Sequence, residues 1–426
     1  MPSRSRHLGA AVFLANLAIP VAVVVFAWSP LSAVALLLTD IVLCIGRMAT
    51  EQLFAGRPRD DTDRPRYRPV QLSPFWQKEI YGSLLRKRGA IRFGGRLPPV
   101  YPRNLPFVLE TAGGALVVVG LLFAGVWSVV PPVTGALDAA LLVVLPAVAL
   151  RHVAVVATWS ATGRYERAAA TTVRRRREFL YAGLVACLAV LFVGASERAA
   201  IGVVLALVPK VAFDLRDAGI GPAPGTTADT AEDSLELPVT SPRETFEQRA
   251  SAVYGSAAGI AVFHLLFPGL PVVYLVVLLG IAAESVLLSV VLLTATFIAV
   301  FVLDLVAVWL AHANVEYRLY DDRLVAYDRL LDEPQWSLPF DDVTDVTAHP
   351  QRPEDQLLVD SPHRLNHVHG WLPFVGIPVR IERRDGDALG LAYLDRPEAF
   401  VRAVEARRAT TGQSRGRPDV SSVADT

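Results

Sequence analysis

The sequence predicts an α-helical polytopic membrane bundle of about eight transmembrane helices, followed by a small, mainly β domain that an α-helix closes. Hydrophobic residues make up 53% of the 426 residues, and the mean hydropathy is +0.40. These residues are concentrated in blocks of about 17 to 30, the length that a helix needs to cross ~30 Å of hydrocarbon. After Ala311 the pattern changes to alternating β-branched and aromatic residues, which is typical of half-buried strands.

The apolar blocks are predicted to be helices, because backbone polar groups in lipid must find hydrogen-bond partners within their own segment. A proline- and glycine-rich interruption at Pro268–Pro271 leaves a ninth span open as an alternative. The predicted spans are Leu8–Trp28, Leu31–Met48, Leu105–Trp127, Leu137–Thr158, Phe179–Ala195, Ala199–Leu215, Val253–Ile281 and Ser285–Ala311.

Changes in composition divide the chain into successive parts. A stretch rich in Gly, Pro, Thr and acidic residues separates the first six spans from the last two and predicts a flexible linker. The predicted parts are a six-span membrane domain (1–218) with a basic cytoplasmic loop (49–104), the linker (219–252), a two-span membrane hairpin (253–311), the β domain (312–408) and a disordered tail (409–426).

Basic residues in the loops predict the orientation of the chain. Arginine and lysine are abundant in residues 49–104 and again in the loop that contains Arg174–Arg177, whereas Arg198 is the only basic residue in the opposite loops. Loops rich in these residues stay in the cytoplasm. The sequence therefore predicts a multi-pass protein of the cell membrane, embedded in the lipid bilayer, with both termini in the cytoplasm.

A short amphipathic helix is predicted within the first basic loop. Trp76, Ile80 and Leu84 recur every four residues, and Lys78 and Arg86–Arg88 supply charge between and after them. The pattern fits a helix on the inner membrane surface or an ordinary cytoplasmic helix packed on the membrane bundle.

The C-terminal domain is predicted to contain about seven short strands and a closing helix, which suggests a small β-barrel or two-sheet sandwich. Asp395 is the expected N-cap of the helix, and Pro397 lies in its first turn. The candidate strands are Val315–Tyr320, Leu324–Tyr327, Gln335–Leu338, Val343–Ala348, Gln356–Val359, Pro378–Glu382 and Leu389–Tyr393.

The run Glu316–Val325, then Leu338–Val346 and the ending Tyr393–Val401, resembles a bacterial pleckstrin-homology-like domain. In that family a pair of membrane helices leads directly into the first strand turn, so the resemblance implies the same arrangement here. Relatives that bind phosphoinositides carry basic residues in this turn. Asp321 and Asp322 stand there instead, so lipid headgroup binding is not implied.

The six-span part resembles an uncharacterised family of prokaryotic integral membrane proteins, known only as a domain of unknown function. The residues that carry this resemblance are Pro98–Pro106, His152–Arg167 and Val208–Leu215. It implies an architecture and no activity.

Ionisable residues inside predicted spans are candidates for function, because each costs about 2.5–3.5 kcal/mol or more at the bilayer centre. Lys210 and Asp214 share a helix face and are expected to form an ion pair, which is either structural or part of a proton or ion relay. Arg151 and His152 are expected to bond a carboxylate such as Glu110 or Asp40. The candidates are Asp40, Glu110, Arg151, His152, Lys210, Asp214, His264 and Asp304.

Other chemistry has little support in the sequence. His363, His367 and His369 have a spacing that suits zinc or nickel, but they form one polar loop and are only weak metal candidates. Cys44 and Cys187, the only cysteines, predict no disulfide framework and no cysteine metal site. No Walker motif, nucleotide fingerprint or HExxH motif is present.

The leading hypothesis from the sequence is therefore a non-enzymatic scaffold that presents its C-terminal domain to a protein partner at the inner membrane face. No cofactor and no nucleic acid is expected. The alternative is a transporter of a small solute or ion that uses Lys210, Asp214, Glu110 and His152.

Overall fold

Two antiparallel sheets and several apolar helices make up the part of the chain that the computed structural model describes. That part comprises residues 30–57, 80–94, 97–112, 139, 141–170, 173, 180, 182, 183, 185, 207–215, 235, 237–266, 277, 286–348, 378–386 and 388–415. The chain divides into two units. Unit 1 is Met1–Leu72, Arg92–Glu232 and Gly269–Thr296, and unit 2 is Ser73–Ile91, Asp233–Pro268 and Phe297–Thr426.

Most of the described helices precede the strands, six of which follow one another before the closing helix. The helices are α1 (Pro30–Phe54), α2 (Ile80–Leu85), α3 (Leu141–Ala161), α4 (Arg164–Arg167), α5 (Ala250–Leu266), α6 (Val286–Val308) and α7 (Pro397–Arg415). The strands are β1 (Glu244–Glu247), β2 (Val315–Leu319), β3 (Arg323–Asp328), β4 (Glu333–Pro339), β5 (Val343–Ala348), β6 (Val379–Arg383) and β7 (Ala388–Leu391).

Two of the described helices are long and apolar enough to cross a membrane, namely Leu141–Ala161 and Ser289–Ala313. The prediction of a polytopic bundle of about eight helices is therefore wrong, since the described chain combines these two helices with two antiparallel sheets. Apolar length is a necessary property of a span and not a sufficient one. Helix α5 covers the first part of the predicted span Val253–Ile281, and most of the remainder of that span lies outside the described residues.

Several predicted spans cannot be compared with the structure. Leu8–Trp28 lies outside the described residues, as do most of Phe179–Ala195 and most of Leu105–Trp127. The predicted span Leu31–Met48 lies within α1, which also carries buried Asp40 and Glu51.

Exposed apolar side chains on the two long helices support a membrane environment. On α3, Leu142 and Val143 are 79% and 75% exposed, and on α6, Val286 is 81% exposed. Contiguous apolar surface of this kind is unfavourable in water and suits lipid tails. A membrane association therefore follows from length, composition and exposure together.

In unit 1, residues 101–104 close the C-terminal end of α1. Asn104 Nδ2 donates to Ala55 O at 2.7 Å, and Arg103 Nη2 donates to Gly56 O at 2.7 Å. Tyr101 N donates to Leu53 O at 3.3 Å. These donors satisfy carbonyl groups that have no partner within a helix, and they define where α1 ends.

In unit 2, strands β1 to β4 form one sheet in the order β1-β2-β3-β4, and β5 to β7 form a second sheet in the order β5-β6-β7. Strand β1 pairs antiparallel with β2, with Phe246 opposite Tyr317. This strand lies within the predicted flexible linker 219–252. That part of the linker prediction is wrong, because backbone hydrogen bonds fix residues 244–247 in the sheet.

The predicted strands of the C-terminal domain agree closely with the observed ones. Six of the seven coincide with β2 to β7, with ends that differ by a few residues, and Gln356–Val359 lies outside the described residues. The closing helix α7 is present as predicted and begins at Pro397, but its first backbone hydrogen bond is accepted by Arg396 O, so Arg396 occupies the N-cap position that was predicted for Asp395. Alternation of apolar and polar residues was therefore a reliable signal in this region.

Aromatic packing joins the elements of unit 2 around one core. Phe400 of α7 is fully buried and meets Phe246 of β1 edge-on, with ring centroids 5.2 Å apart. It also contacts Tyr317 of β2 at 6.1 Å. Edge-to-face aromatic pairs add about 0.5–1.5 kcal/mol to the free energy that area burial supplies. The core therefore holds the closing helix against the sheet.

The segment Ser73–Ile91 also belongs to unit 2, although its residue Lys87 precedes Asp328 of β3 by 241 positions. Lys87 forms a buried ion pair with Asp328, whose Oδ1 accepts hydrogen bonds from the backbone N–H groups of Leu330 and Leu331 at 2.9 and 3.1 Å. Burial lowers the pKa of Lys87 below its usual range, and the charge of Asp328 and its hydrogen bond oppose this shift. The short amphipathic helix was predicted to lie on the inner membrane surface or to pack on the membrane bundle, whereas the residues after α2 contact Asp328 and Gln335 of the β domain.

Contacts of the backbone at Arg88 and Gly89 also fix the position of this segment against the β domain. Arg88 N donates to Gln335 Oε1 at 2.9 Å, and Gln335 Nε2 donates to Arg88 O at 3.2 Å. Gly89 has a φ of +86°, and a Cβ there would lie 3.1 Å from the Cβ of Leu331. Only glycine combines this left-handed backbone with such proximity.

Lys87→Met should destabilise unit 2 by about 3–5 kcal/mol, because the change leaves the Asp328 carboxylate buried with backbone donors only. Urea unfolding followed by tryptophan fluorescence measures the loss. Arg86→Met, on an exposed neighbour, is the matched control and should stay within about 0.5 kcal/mol. Equal losses in the two variants would contradict a role for the ion pair.

Candidate functional site

Three segments of unit 1 bring ionisable side chains together inside an apolar environment. Helix α1 supplies Asp40, helix α3 supplies Arg151 and His152, and the helical segment 207–215 supplies Lys210 and Asp214. We call these five residues the charge cluster. The three segments lie far apart along the chain, with Asp40 and Arg151 separated by 111 positions, so only the packing of the segments can assemble the cluster.

Asp40 is the centre of the charge cluster. Its Oδ1 accepts a hydrogen bond from Arg151 Nη2 at 2.6 Å and lies 2.7 Å from His152 Nε2. Its Oδ2 lies 3.0 Å from Lys210 Nζ. Lys210 in turn donates to Asp214, four residues further along the same helical segment. Both oxygens of the central carboxylate therefore have cationic or polar partners.

The cluster is buried, and its formal charges balance. Lys210 is fully buried, and Asp40 and His152 are 6% and 5% exposed. Two carboxylates face two cations, Lys210 and Arg151, so the net charge is zero when His152 is neutral. Buried charges are tolerated only when such pairing and hydrogen bonding compensate their desolvation. The arrangement can therefore hold three helical segments in one register.

The imidazole of His152 has two partners at Nε2, Asp40 Oδ1 at 2.7 Å and Arg151 Nη2 at 3.4 Å, and a bare nitrogen at Nδ1. In the tautomer that donates from Nε2 to Asp40, the Nδ1 atom is an acceptor. Nδ1 is buried, and no described residue gives it a hydrogen bond. Buried polar atoms of this kind are rare and call for a physical explanation. His152 is therefore the member of the cluster with a free lone pair.

Arg151 marks the side of the cluster that is closest to the surface. Its side chain is 46% exposed, whereas the Asp40 side chain is 8% exposed. A long side chain with an exposed guanidinium can cover a buried polar group and still contact the surroundings.

The structure brings together five of the residues that the sequence singled out. The expected ion pair of Lys210 with Asp214 is present, and both Arg151 and His152 contact Asp40. What these residues do stays a prediction.

The other candidate residues are placed as follows. Glu110 lies half-buried in the helical segment 105–112 of unit 1. Asp304 is fully buried on α6, in unit 2. His264 belongs to α5, but its side chain lies outside the described part, and so do His363, His367 and His369.

Sequence reasoning missed Cys44. Its thiol is buried, and one ligand atom each of Cys44, Asp40 and His152 lies within 4.8 Å of the other two. The available signal was the spacing of Asp40 and Cys44, which are four residues apart and so share a face of α1. A cysteine in an apolar segment is usually a plain core residue, which is why this spacing carried little weight.

A second candidate surface lies on the turn between β2 and β3, which we call the hairpin surface. Asp321 is 56% exposed and forms ion pairs with Arg243 at 3.1 Å and Arg407 at 3.2 Å. Asp322 pairs with Arg323 at 2.8 Å. The hydrogen bond from Arg243 holds the pKa of Asp321 below its usual range, with the charges of Arg243 and Arg407 acting in the same direction.

Neither a protein-family model, nor a curated protein, nor a solved structure matches the chain. The resemblances to a pleckstrin-homology-like domain and to a prokaryotic membrane family therefore stay predictions. The function is therefore inferred from the geometry of the charge cluster and of the hairpin surface.

Asp40→Leu should lower the stability of unit 1 by about 3–5 kcal/mol, because Lys210 stays fully buried with one of its two carboxylates missing. The thermal unfolding midpoint of the purified chain in detergent measures this effect. Thr39→Ala removes the neighbouring side chain, which bonds only to its own helix at Ala35 O, and should shift the midpoint little. Equal midpoints for the two variants would show that the cluster does not hold the helices together.

Proposed function

We propose that the protein is a non-enzymatic, membrane-associated interaction protein, in which α6 anchors the β domain of unit 2 at the inner membrane face. One observation carries the proposal. The apolar helix Ser289–Ala313 is followed, after Asn314 alone, by β2. So short a connection holds the domain within a few ångströms of the point where the helix leaves the membrane.

The end of the anchor is packed into the domain that it carries. Ala307 and Val308 are fully buried, and Ala311 is 3% exposed. The ring of His312 lies 5.2 Å from that of Tyr393, whose hydroxyl donates to Ser256 Oγ at 2.9 Å. A packed junction fixes the orientation of the domain, whereas a flexible tether would leave it free to rotate. This favours presentation of one defined surface.

The hairpin surface is the part of the domain that favours a protein partner. Arginine and acidic side chains alternate across it, and each acidic group of the turn is paired with an arginine. Such a neutral surface gives little attraction to an anionic lipid headgroup. Alternating charges instead suit a protein surface with complementary charges, where they set specificity and association rate. Arginine-rich loops in the sequence support the inner face as the side of presentation.

Asp321→Arg should abolish binding of this partner, because it replaces an acidic group by a base between Arg243 and Arg407. The test is co-purification from native membranes in mild detergent, with the full chain as bait. The wild type should retain a stoichiometric partner, and Asp321→Arg should lose it. Exposed ion pairs contribute only about 0–1 kcal/mol, so the fold should survive the change.

Asp385→Arg is the matched control for this experiment. Asp385 is also exposed and also paired with an arginine, Arg383, but it lies in the turn that follows β6. The control should retain the partner. Absence of any stoichiometric partner on the wild-type chain, or equal loss in both variants, would contradict the proposal.

A second candidate function is the movement of protons or small cations through the charge cluster. The chain of contacts from His152 through Asp40 and Lys210 to Asp214 favours it, because adjacent titratable groups can pass a proton along. In such a relay, Asp40 changes its hydrogen-bond partner, and Lys210 and Asp214 pass the proton on.

Lys210→Met should then abolish proton uptake into vesicles that contain the purified protein and an enclosed pH-sensitive dye. The reason is that the change removes the only described group that bridges Asp40 and Asp214. Glu51→Gln is the control, since Glu51 lies about three turns further along α1 and pairs with Arg47. Unchanged uptake in Lys210→Met would exclude the relay.

A further inference from the structure

We propose that Asp40, Cys44 and His152 form a binding site for a divalent transition-metal ion of the zinc class. One ligand atom from each residue lies within 4.8 Å of the other two, and all three residues are buried. The site does not include any residue of the hairpin surface. It also does not depend on whether protons or ions move through the charge cluster.

The three ligand types select the class of metal. A thiolate and an imidazole suit zinc and its neighbours among the transition metals, whereas magnesium and calcium prefer sites built from oxygen alone. Three protein ligands leave one position of a tetrahedron for water or another small ligand. A cysteine, a histidine and an aspartate together therefore make an open zinc-type site.

The fold orients all three ligands before any metal binds. Asp40 and Cys44 lie one helical turn apart on α1, so their side chains share a face. His152 is held by its contact with Asp40 at 2.7 Å and keeps a buried Nδ1 that no described residue satisfies. Cys44 is a free thiol with 1% exposure. Preformed ligands lower the entropy that metal binding costs.

Lys210 occupies part of the space that the metal would use. Its Nζ lies 3.0 Å from Asp40 Oδ2, but Asp214 is a second carboxylate partner that can keep it paired when it leaves Asp40. Lys210 then pairs with Asp214 alone, and the metal takes its place beside Asp40. The Cys44 thiol loses its proton to solvent, a sulfur–metal bond forms, and no oxidation occurs. The metal, the Cys44 thiolate and the Asp40 carboxylate then sum to zero charge.

Cobalt(II) is the probe, because a cysteine thiolate bound to it gives a charge-transfer absorption in the near ultraviolet. The full-length chain, purified without metal in detergent, is titrated with Co²⁺. We expect the band to saturate at one equivalent, with visible d–d bands of tetrahedral intensity and release of one proton per ion bound. Absence of the charge-transfer band from the wild-type protein would overturn the proposal.

The second cysteine provides a matched control. Cys44→Ser should lose the charge-transfer band, and Cys187→Ser should keep it. Thermal unfolding checks that both variants are folded. If Cys44→Ser does not fold, proton release by Cys187→Ser on adding Co²⁺ tests the same thiol, since Cys44 is then the only one left. A band that survives in Cys44→Ser, or no proton release by Cys187→Ser, would overturn the proposal.

Two further variants test the geometry of the site. His152→Ala should weaken Co²⁺ binding about tenfold or more, because it removes a ligand. Lys210→Met should strengthen binding, because it removes the cation that competes for Asp40. Weaker binding by Lys210→Met, or unchanged binding by His152→Ala, would contradict the assigned ligands.

Discussion

The charge on Asp40 is the constraint on which the packing of unit 1 depends. A carboxylate with 6% exposure pays a large desolvation cost, and only close cationic and polar partners can offset that cost. Arg151, His152 and Lys210 supply those partners from two other segments of the chain. Helices with smooth apolar faces could slide past one another. Asp40 prevents this, because only one register brings all three donors to its two oxygens.

Unit 2 is held together differently, by a core to which distant segments contribute. The strand Glu244–Glu247 extends the first sheet, and Lys87 reaches Asp328 from a loop more than 200 residues earlier. Phe400 then closes the core from the last helix. The domain therefore cannot be cut out of the chain at Ala311 without losing an edge strand and a buried ion pair. Non-local contacts of this kind make the unit dependent on the whole chain.

The interaction surface of unit 2 and the metal site of unit 1 depend on different physical interactions. The interaction role depends on a packed junction between an apolar helix and a β domain, and on a surface whose charges cancel. The metal site depends on three ligand types that meet in a dry environment, where a thiol, an imidazole and a carboxylate bind metals more strongly than in water. One chain can support both, since the residues involved belong to separate units.

The sequence by itself determined the strands after Ala311 and the closing helix, because the alternation of apolar residues and the proline in the first helical turn are local signals that tertiary contacts reinforced. The sequence also identified the polar residues that lie within apolar segments. The four-residue spacing of Lys210 and Asp214 predicted their ion pair. The number of spans was predicted wrongly, since hydropathy measures apolar length and does not distinguish a buried core helix from one in lipid. Only the tertiary structure decided that Asp40 meets His152 and Cys44, and that Glu244–Glu247 forms a strand. Those contacts join segments whose separation along the chain no local pattern can bridge.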